Sequence, residues 1–263
     1  MPACCSNTPA HTYSPGSSVR KETAMSSEIR GAYAANGATE VPPRLEQARA
    51  QAFRRFGIDL LEHRFDTDSP LIPFRLSSTE TFQCLNLFRD DDDLRSFVTG
   101  EQIRQALHAV AGESRWRLWQ DRMILQDKHA GGRTSWHQDG AYAPYEFDRH
   151  ICSLWVNLND GGNEPLLFVV PGSHRWGRQD AMLRGFGERS SGVDLPTAIG
   201  AHSVQAQPRT VPFGGMHAHH GAVWHAPNLF DCSAERIAYG MYFIAAEDDS
   251  EIWDDDKHPL VIC

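Results

Sequence analysis

The chain has 263 residues, a formal net charge of −9, 41% hydrophobic and 22% charged residues, an ordinary globular composition with room for one sizeable core. An acidic chain without a basic stripe interleaved with aromatics disfavours nucleic acid as a substrate, and no apolar run approaches the roughly 18 residues that a membrane helix needs. Its six cysteines are scattered without a CxxC pair or a regular framework, which fits a reducing cytoplasm.

Residues 1–41 are mostly Ser, Thr, Ala, Gly and Pro without sustained periodicity, so a flexible N-terminal tail is expected, followed by a single domain over 42–263. Leu45, Ala48, Ala52 and Phe56 recur at helical spacing between Pro43 and a stop at Gly57. Asp90 to Asp93 reads as a solvated loop. Thr99 and Gln102 form a capping-box pattern, and Ile103, Ala106, Leu107 and Val110 mark one face of an amphipathic helix ending at Gly112.

Beyond that helix the period changes to that of strands. Trp116 to Gln126 is rich in aromatic and long apolar residues and leads through Gly131-Gly132 toward Trp136-His137-Gln138-Asp139-Gly140. Ile151 to Asn159 alternates Cys152, Leu154, Val156 and Leu158 with Ile151, Ser153, Trp155 and Asn157, so Trp155 shares a half-polar face suited to a ligand cavity. Pro165 to Pro171 is a further strand before the turn Pro171-Gly172-Ser173-His174, with His174 structural. Residues 178–210 carry little periodic signal and are expected to roof the site. Ile237 to Ala245 alternates again, with Arg236 on the face of Ala238 and Gly240. Seven acids in residues 247–256 read as solvated surface.

In an extended segment, His137 and Asp139 point to one side and can grip one metal ion. A second histidine would complete the two-histidine, one-carboxylate set of non-heme Fe(II) oxygenases. His225, in the short strand Ala222 to His225, is one candidate; His217, His219 and His220 lie close by, and parity alone does not choose among them. From the residues alone, a zinc hydrolase with two His and one Asp, or a non-enzymatic ligand-binding barrel, remains open.

The runs Ser135 to Tyr142, Ser153-Leu154-Trp155 and Val170 to Gly177, followed by His225, Asn228 and Arg236 eleven residues after that His, resemble the phytanoyl-CoA dioxygenase family of Fe(II)/2-oxoglutarate oxygenases. The resemblance covers about Leu85 to Phe243. It implies a mainly β, double-stranded β-helix (jelly-roll, cupin-like) barrel braced by helices. It also implies Fe(II) on His137, Asp139 and His225, with 2-oxoglutarate against Arg236 and Trp155, and O2 as oxidant. The expected reaction is hydroxylation or another oxidation of a small molecule, with release of succinate and CO2. Halogenating relatives carry a small residue where this chain has Asp139, so oxygen rather than chlorine is expected in the product. One departure is local: His225-Ala226-Pro227-Asn228 replaces the family's usual His-Gly-Ser-Gly-like turn.

Overall fold

The computed structural model describes residues 16–63, 65–66, 68, 71–76, 79–126, 136–143, 147, 150–159, 165–183, 195–227, 235–246 and 254–263. In chain order the elements are α1 (Gly16–Asn36), β1 (Ala38–Val41), α2 (Gln47–Glu62), β2 (Leu71–Leu76), β3 (Thr79–Leu85), α3 (Asp92–Val98), α4 (Glu101–Ala111), β4 (Arg115–Gln126), β5 (Ile151–Asn157), β6 (Leu167–Val170), α5 (Asp180–Leu183), β7 (Ala198–Ile199), β8 (His202–Ser203), β9 (Gln207–Arg209), β10 (Met216–His220), β11 (Trp224–Pro227), β12 (Arg236–Ala245) and β13 (Leu260–Ile262).

Two antiparallel sheets form the expected jelly roll. The large sheet runs β1-β10-β5-β12-β4-β3-β2, with β13 also paired to β4; the small one runs β11-β6-β9. The alternation in β12 divides the interior: Ile237, Tyr239, Met241 and Phe243 pack into the main core, whereas Ala238 and Tyr242 join Trp155, Leu167, Val169 and Val211 between the sheets. Main-core partners come from the helices. Phe53 of α2 meets Phe97 of α3 and Tyr239 edge-on, at ring separations of 5.2 and 5.9 Å, and α4 buries Ile103, Ala106, Leu107 and Val110 as its periodicity predicts. Among the described residues, no helix is long and apolar enough to cross a membrane.

Three local expectations change. α2 buries Ala50, Phe53, Gly57 and Leu61 and continues to Glu62. Gly57 does not stop it, because the helix approaches β12 so closely there that a Cβ would stand 2.8 Å from Ile237 Cγ2. Asp91 is a cap rather than part of a solvated loop, its carboxylate accepting from the Leu94 amide at 2.8 Å to start α3. The Thr99 capping box does not form, since Gly100 is the N-cap of α4 and the Thr99 hydroxyl donates back to the Arg95 carbonyl at 2.9 Å. The Gly131-Gly132 turn lies outside the described residues.

The N-terminal expectation also needs correction: residues 16–41 are not a tail. β1 pairs with β10 from Ala38↔His219 to Val41↔Met216, and Tyr33 of α1 is 4% exposed. Short, weakly hydrophobic segments of this kind carry little periodic signal and owe their order to what they pack against. Deleting residues 1–41 is therefore expected to lower unfolding free energy by about 3 kcal/mol or more, through lost burial of Tyr33, Ala38 and Val41 and exposure of the β10 edge. Chemical denaturation of the two chains measures it, and an unchanged midpoint and slope would refute it.

Candidate active site

The two histidines of the candidate site stand opposite each other, His225 in β11 and His137 in an isolated bridge beside it. The His137 amide donates to the His225 carbonyl at 2.9 Å and the His225 amide to the His137 carbonyl at 3.1 Å, forming a single bridge at the free edge of β11. Directly opposed residues project to one face of a sheet, and the two imidazole centroids are 4.1 Å apart. Their neighbours Trp136 and Trp224 go to the other face, into a cluster with Val170, Leu183 and Val204.

That cluster corrects the expected roof. The described part of residues 178–206 supplies Leu183, Leu195, Ile199, Val204 and Ala206 to it, so this stretch covers the outside of the small sheet, away from the histidines. Gln138 ties the two together. Its Nε2 donates to the carbonyls of Ala222 (2.7 Å) and Gly177 (3.1 Å), while its Oε1 accepts from the Gln179 amide at 2.7 Å. Between two inward-facing candidate ligands, the middle residue faces outward and is used as a fastener.

Asp139 begins a 3-10 turn, Asp139–Ala141. Its Oδ1 is 3.6 Å from Nε2 of His137 and 3.6 Å from Nε2 of His225, and ligand atoms of the three residues all lie within 4.8 Å of one another. Burial alone would raise the Asp139 carboxyl, but the neighbouring His225 and the hydrogen bonds of His137 and His219 outweigh it and hold the group well below the usual carboxylate range. His225 is pushed well below its ordinary value, by burial first and then by His137. Both directions, a lowered carboxyl and a lowered imidazole, run toward the forms that metal ligation requires.

The histidine also has the right tautomer. His225 Nδ1 lies 3.1 Å from the Val223 carbonyl, which only accepts, so Nδ1 carries the proton and Nε2 the lone pair. That Nε2 is buried with no hydrogen-bond partner among the described residues. An unpaired buried polar atom is costly, and a divalent first-row metal is the partner this donor set suits.

The other candidate histidines do not join the cluster. His220 turns outward, stacking on His150 at 4.7 Å and accepting from the Ala222 amide at 3.0 Å. His217 and His219 face the interior, with His219 Nε2 3.0 Å from Asp139 Oδ2 and both nitrogens of His217 buried without a hydrogen-bond partner among the described residues. Ser153, on the Trp155 face of β5, donates to the same Asp139 oxygen at 2.6 Å. Neither Ser153 nor His219 was predicted to touch Asp139, although the period-2 parity that places Trp155 inward places Ser153 inward too.

Arg236 and Trp155 meet in a small cavity between the sheets, lined also by Ile124, Gln126, Leu166 and Ala238. Arg236 is 8% exposed and donates to the Pro165 carbonyl at 2.8 Å. A Cβ on Gly240 would stand 3.2 Å from Trp155 Nε1 and 3.2 Å from the Tyr242 hydroxyl, so a glycine lets these two side chains pack closely against β12. Ser135 and Asn228 lie outside the described residues.

A model of the phytanoyl-CoA dioxygenase (PhyH) family matches residues 33–228, which include the bridge, the carboxylate and the inward tryptophan. The chain belongs to the PhyH family. It is thus an enzyme of a family that uses Fe(II), 2-oxoglutarate and O2. PhyH-type architecture is evident in solved structures as well. The chain is similar to the non-heme alpha ketoglutarate dependent carbocyclase SnoK from nogalamycin biosynthesis, at 19% identity and TM-score 0.70, with 91% of this chain and 98% of that one covered. The epimerase SnoN in complex with Fe3+, alpha ketoglutarate and nogalamycin RO gives 17% identity and TM-score 0.70, over 90% and 99%. EctD from S. alaskensis in its apoform gives 15% and 0.60, over 83% and 76%. A search of curated proteins found no match. Where this chain departs from the PhyH turn after the distal histidine, Ala226 and Pro227 continue β11, paired with Phe168 and Leu167 of β6.

Proposed function

We propose that the protein is a non-heme Fe(II)- and 2-oxoglutarate-dependent dioxygenase that hydroxylates or otherwise oxidises a small molecule, in secondary metabolism and in the cytoplasm. His137, Asp139 and His225 hold the iron, Arg236 pairs with the far carboxylate of 2-oxoglutarate, and Trp155 forms the wall beside it. With iron and 2-oxoglutarate bound, the site activates O2 and releases succinate and CO2 as the substrate is oxidised.

The observation that carries this reading is the convergence of one carboxylate and two imidazoles, one with a buried, unpartnered Nε2. Each residue has a separable task. Asp139 supplies the anionic charge, His225 arrives in the correct tautomer, and His137 is fixed by its backbone bridge. A planar guanidinium matches a carboxylate in a bidentate fork, and Arg236 stands on the inner wall of β12 with Ala238, lining a cavity shared with Trp155. Trp155, Leu167 and Val169 make the interior apolar, which excludes water and strengthens that ion pair. Retention of Asp139 favours oxygen rather than halide in the product. The carbocyclase and epimerase among the structural relatives favour a small-molecule biosynthetic substrate.

A zinc hydrolase would use the same three ligands but has no role for an inward arginine beside Trp155. Anaerobic addition of Fe(II) and 2-oxoglutarate distinguishes the two. A visible metal-to-ligand charge-transfer band is expected, and its absence from iron-loaded protein would exclude the proposal.

A further inference from the structure

The two oxygens of Asp139 meet different surroundings. Oδ1 faces the imidazole nitrogens of His137 and His225. Oδ2 accepts from the Ser153 hydroxyl at 2.6 Å and lies 3.0 Å from His219 Nε2. An ionised carboxylate only accepts hydrogen bonds, so His219 carries its proton on Nε2. Ser153 and His219 are both 0% exposed, and they are direct register partners across β5 and β10. A cross-strand pair thus reaches one oxygen from two adjacent strands.

We infer that Ser153 and His219 are positioning residues for the metal ligand Asp139. By occupying Oδ2 they leave Oδ1 as the oxygen that would meet a metal held by His137 and His225. Free to rotate, the carboxylate would offer both oxygens and take a second coordination position, as carboxylates do in flexible oxygen-rich sites. Fixed as it is, it leaves that position for co-substrate. This inference rests on the reading that His137, Asp139 and His225 bind a divalent metal. A purely structural role, in which Ser153 and His219 only satisfy a buried carboxylate, predicts altered folding stability without altered metal binding.

The test uses Co(II), whose ligand-field spectrum reports coordination number, on the wild-type chain and the variants Ser153→Ala, His219→Leu and His219→Gln. Each is also followed by thermal melting. The wild type is expected to bind one Co(II). Ser153→Ala and His219→Leu are expected to weaken binding by about 10- to 100-fold, the usual effect of losing an outer partner of a ligand, and to change band position and intensity. His219→Gln, whose amide can donate from a similar place, is expected to recover affinity to within several-fold of wild type. Unchanged Co(II) affinity and spectrum in Ser153→Ala and His219→Leu, with lower melting temperature only, would overturn the inference and leave the metal site standing. Failure of the wild type to bind Co(II) or Fe(II) would instead remove the metal reading beneath it. Should His219→Leu not fold, Ser153→Ala, which deletes a single oxygen atom, decides between the outcomes.

Discussion

Asp139→Asn protein is expected to lose iron: at least a 100-fold weaker Fe(II) affinity, equivalent to about 3 kcal/mol, and no measurable succinate release at iron concentrations that saturate the wild type. Asp139 is the single anion among the three clustered ligands, and its carboxylate charge is what complements the divalent ion in the buried site. The amide is the same size but cannot serve both sides. Its oxygen can face either the metal or the two donors on Ser153 and His219, and its NH2 group opposes whichever it meets on the other side. His137→Ala and His225→Ala should likewise abolish iron binding, whereas His217→Ala, at a position outside the cluster, should retain most of it. Metal content by elemental analysis together with coupled succinate release measures the series. An iron-replete, active Asp139→Asn would sink the assignment, as would a chlorinated product from the wild type in chloride buffer.

Arg236→Ala should spare iron and cost the co-substrate. Truncating one partner of a desolvated charge pair costs about 2 to 4 kcal/mol, so the 2-oxoglutarate requirement should rise by roughly 30- to 1,000-fold. Arg236→Lys should recover part of this, because a point charge replaces the attraction but not the planar fork. Anaerobic titration of the charge-transfer band reads 2-oxoglutarate affinity directly and Fe(II) affinity beside it. The competing expectation is that Arg236 serves only to bind the Pro165 carbonyl, seen here at 2.8 Å. In that case the variant would melt earlier but bind 2-oxoglutarate as the wild type does.

Period-2 patterning in β4, β5 and β12 and the helical period in α4 are local consequences of burial on one face or both, so these strands and one bracing helix could be read from residues in sequence, whereas the jelly roll that joins them was implied by the family resemblance. The same local rule placed His137 and Asp139 on one side and Trp155 inward with Ser153. Where an element depends on what it packs against, the sequence was silent or misleading. Residues 16–41 have weak periodicity and are ordered against α4 and β10. Gly57 carries the ordinary signature of a helix stop, but a neighbouring strand makes it a contact point. Residues 178–210 carry little periodic signal and were read as a roof; Leu183, Leu195, Ile199, Val204 and Ala206, from the described part of that stretch, instead pack with Trp136 and Trp224 on the far face of the small sheet. The histidines show the division most sharply. Composition and spacing brought His217, His219, His220 and His225 into consideration, and family likeness selected one. Only tertiary pairing could assign the rest: among the described residues it is β11 that bridges to His137, so His225 reaches the carboxylate from the same side as His137. β10 lies across from Ser153, so His219 meets the opposite oxygen. Distances between residues 80 positions apart are set by strand order and register, and neither is written in any local pattern.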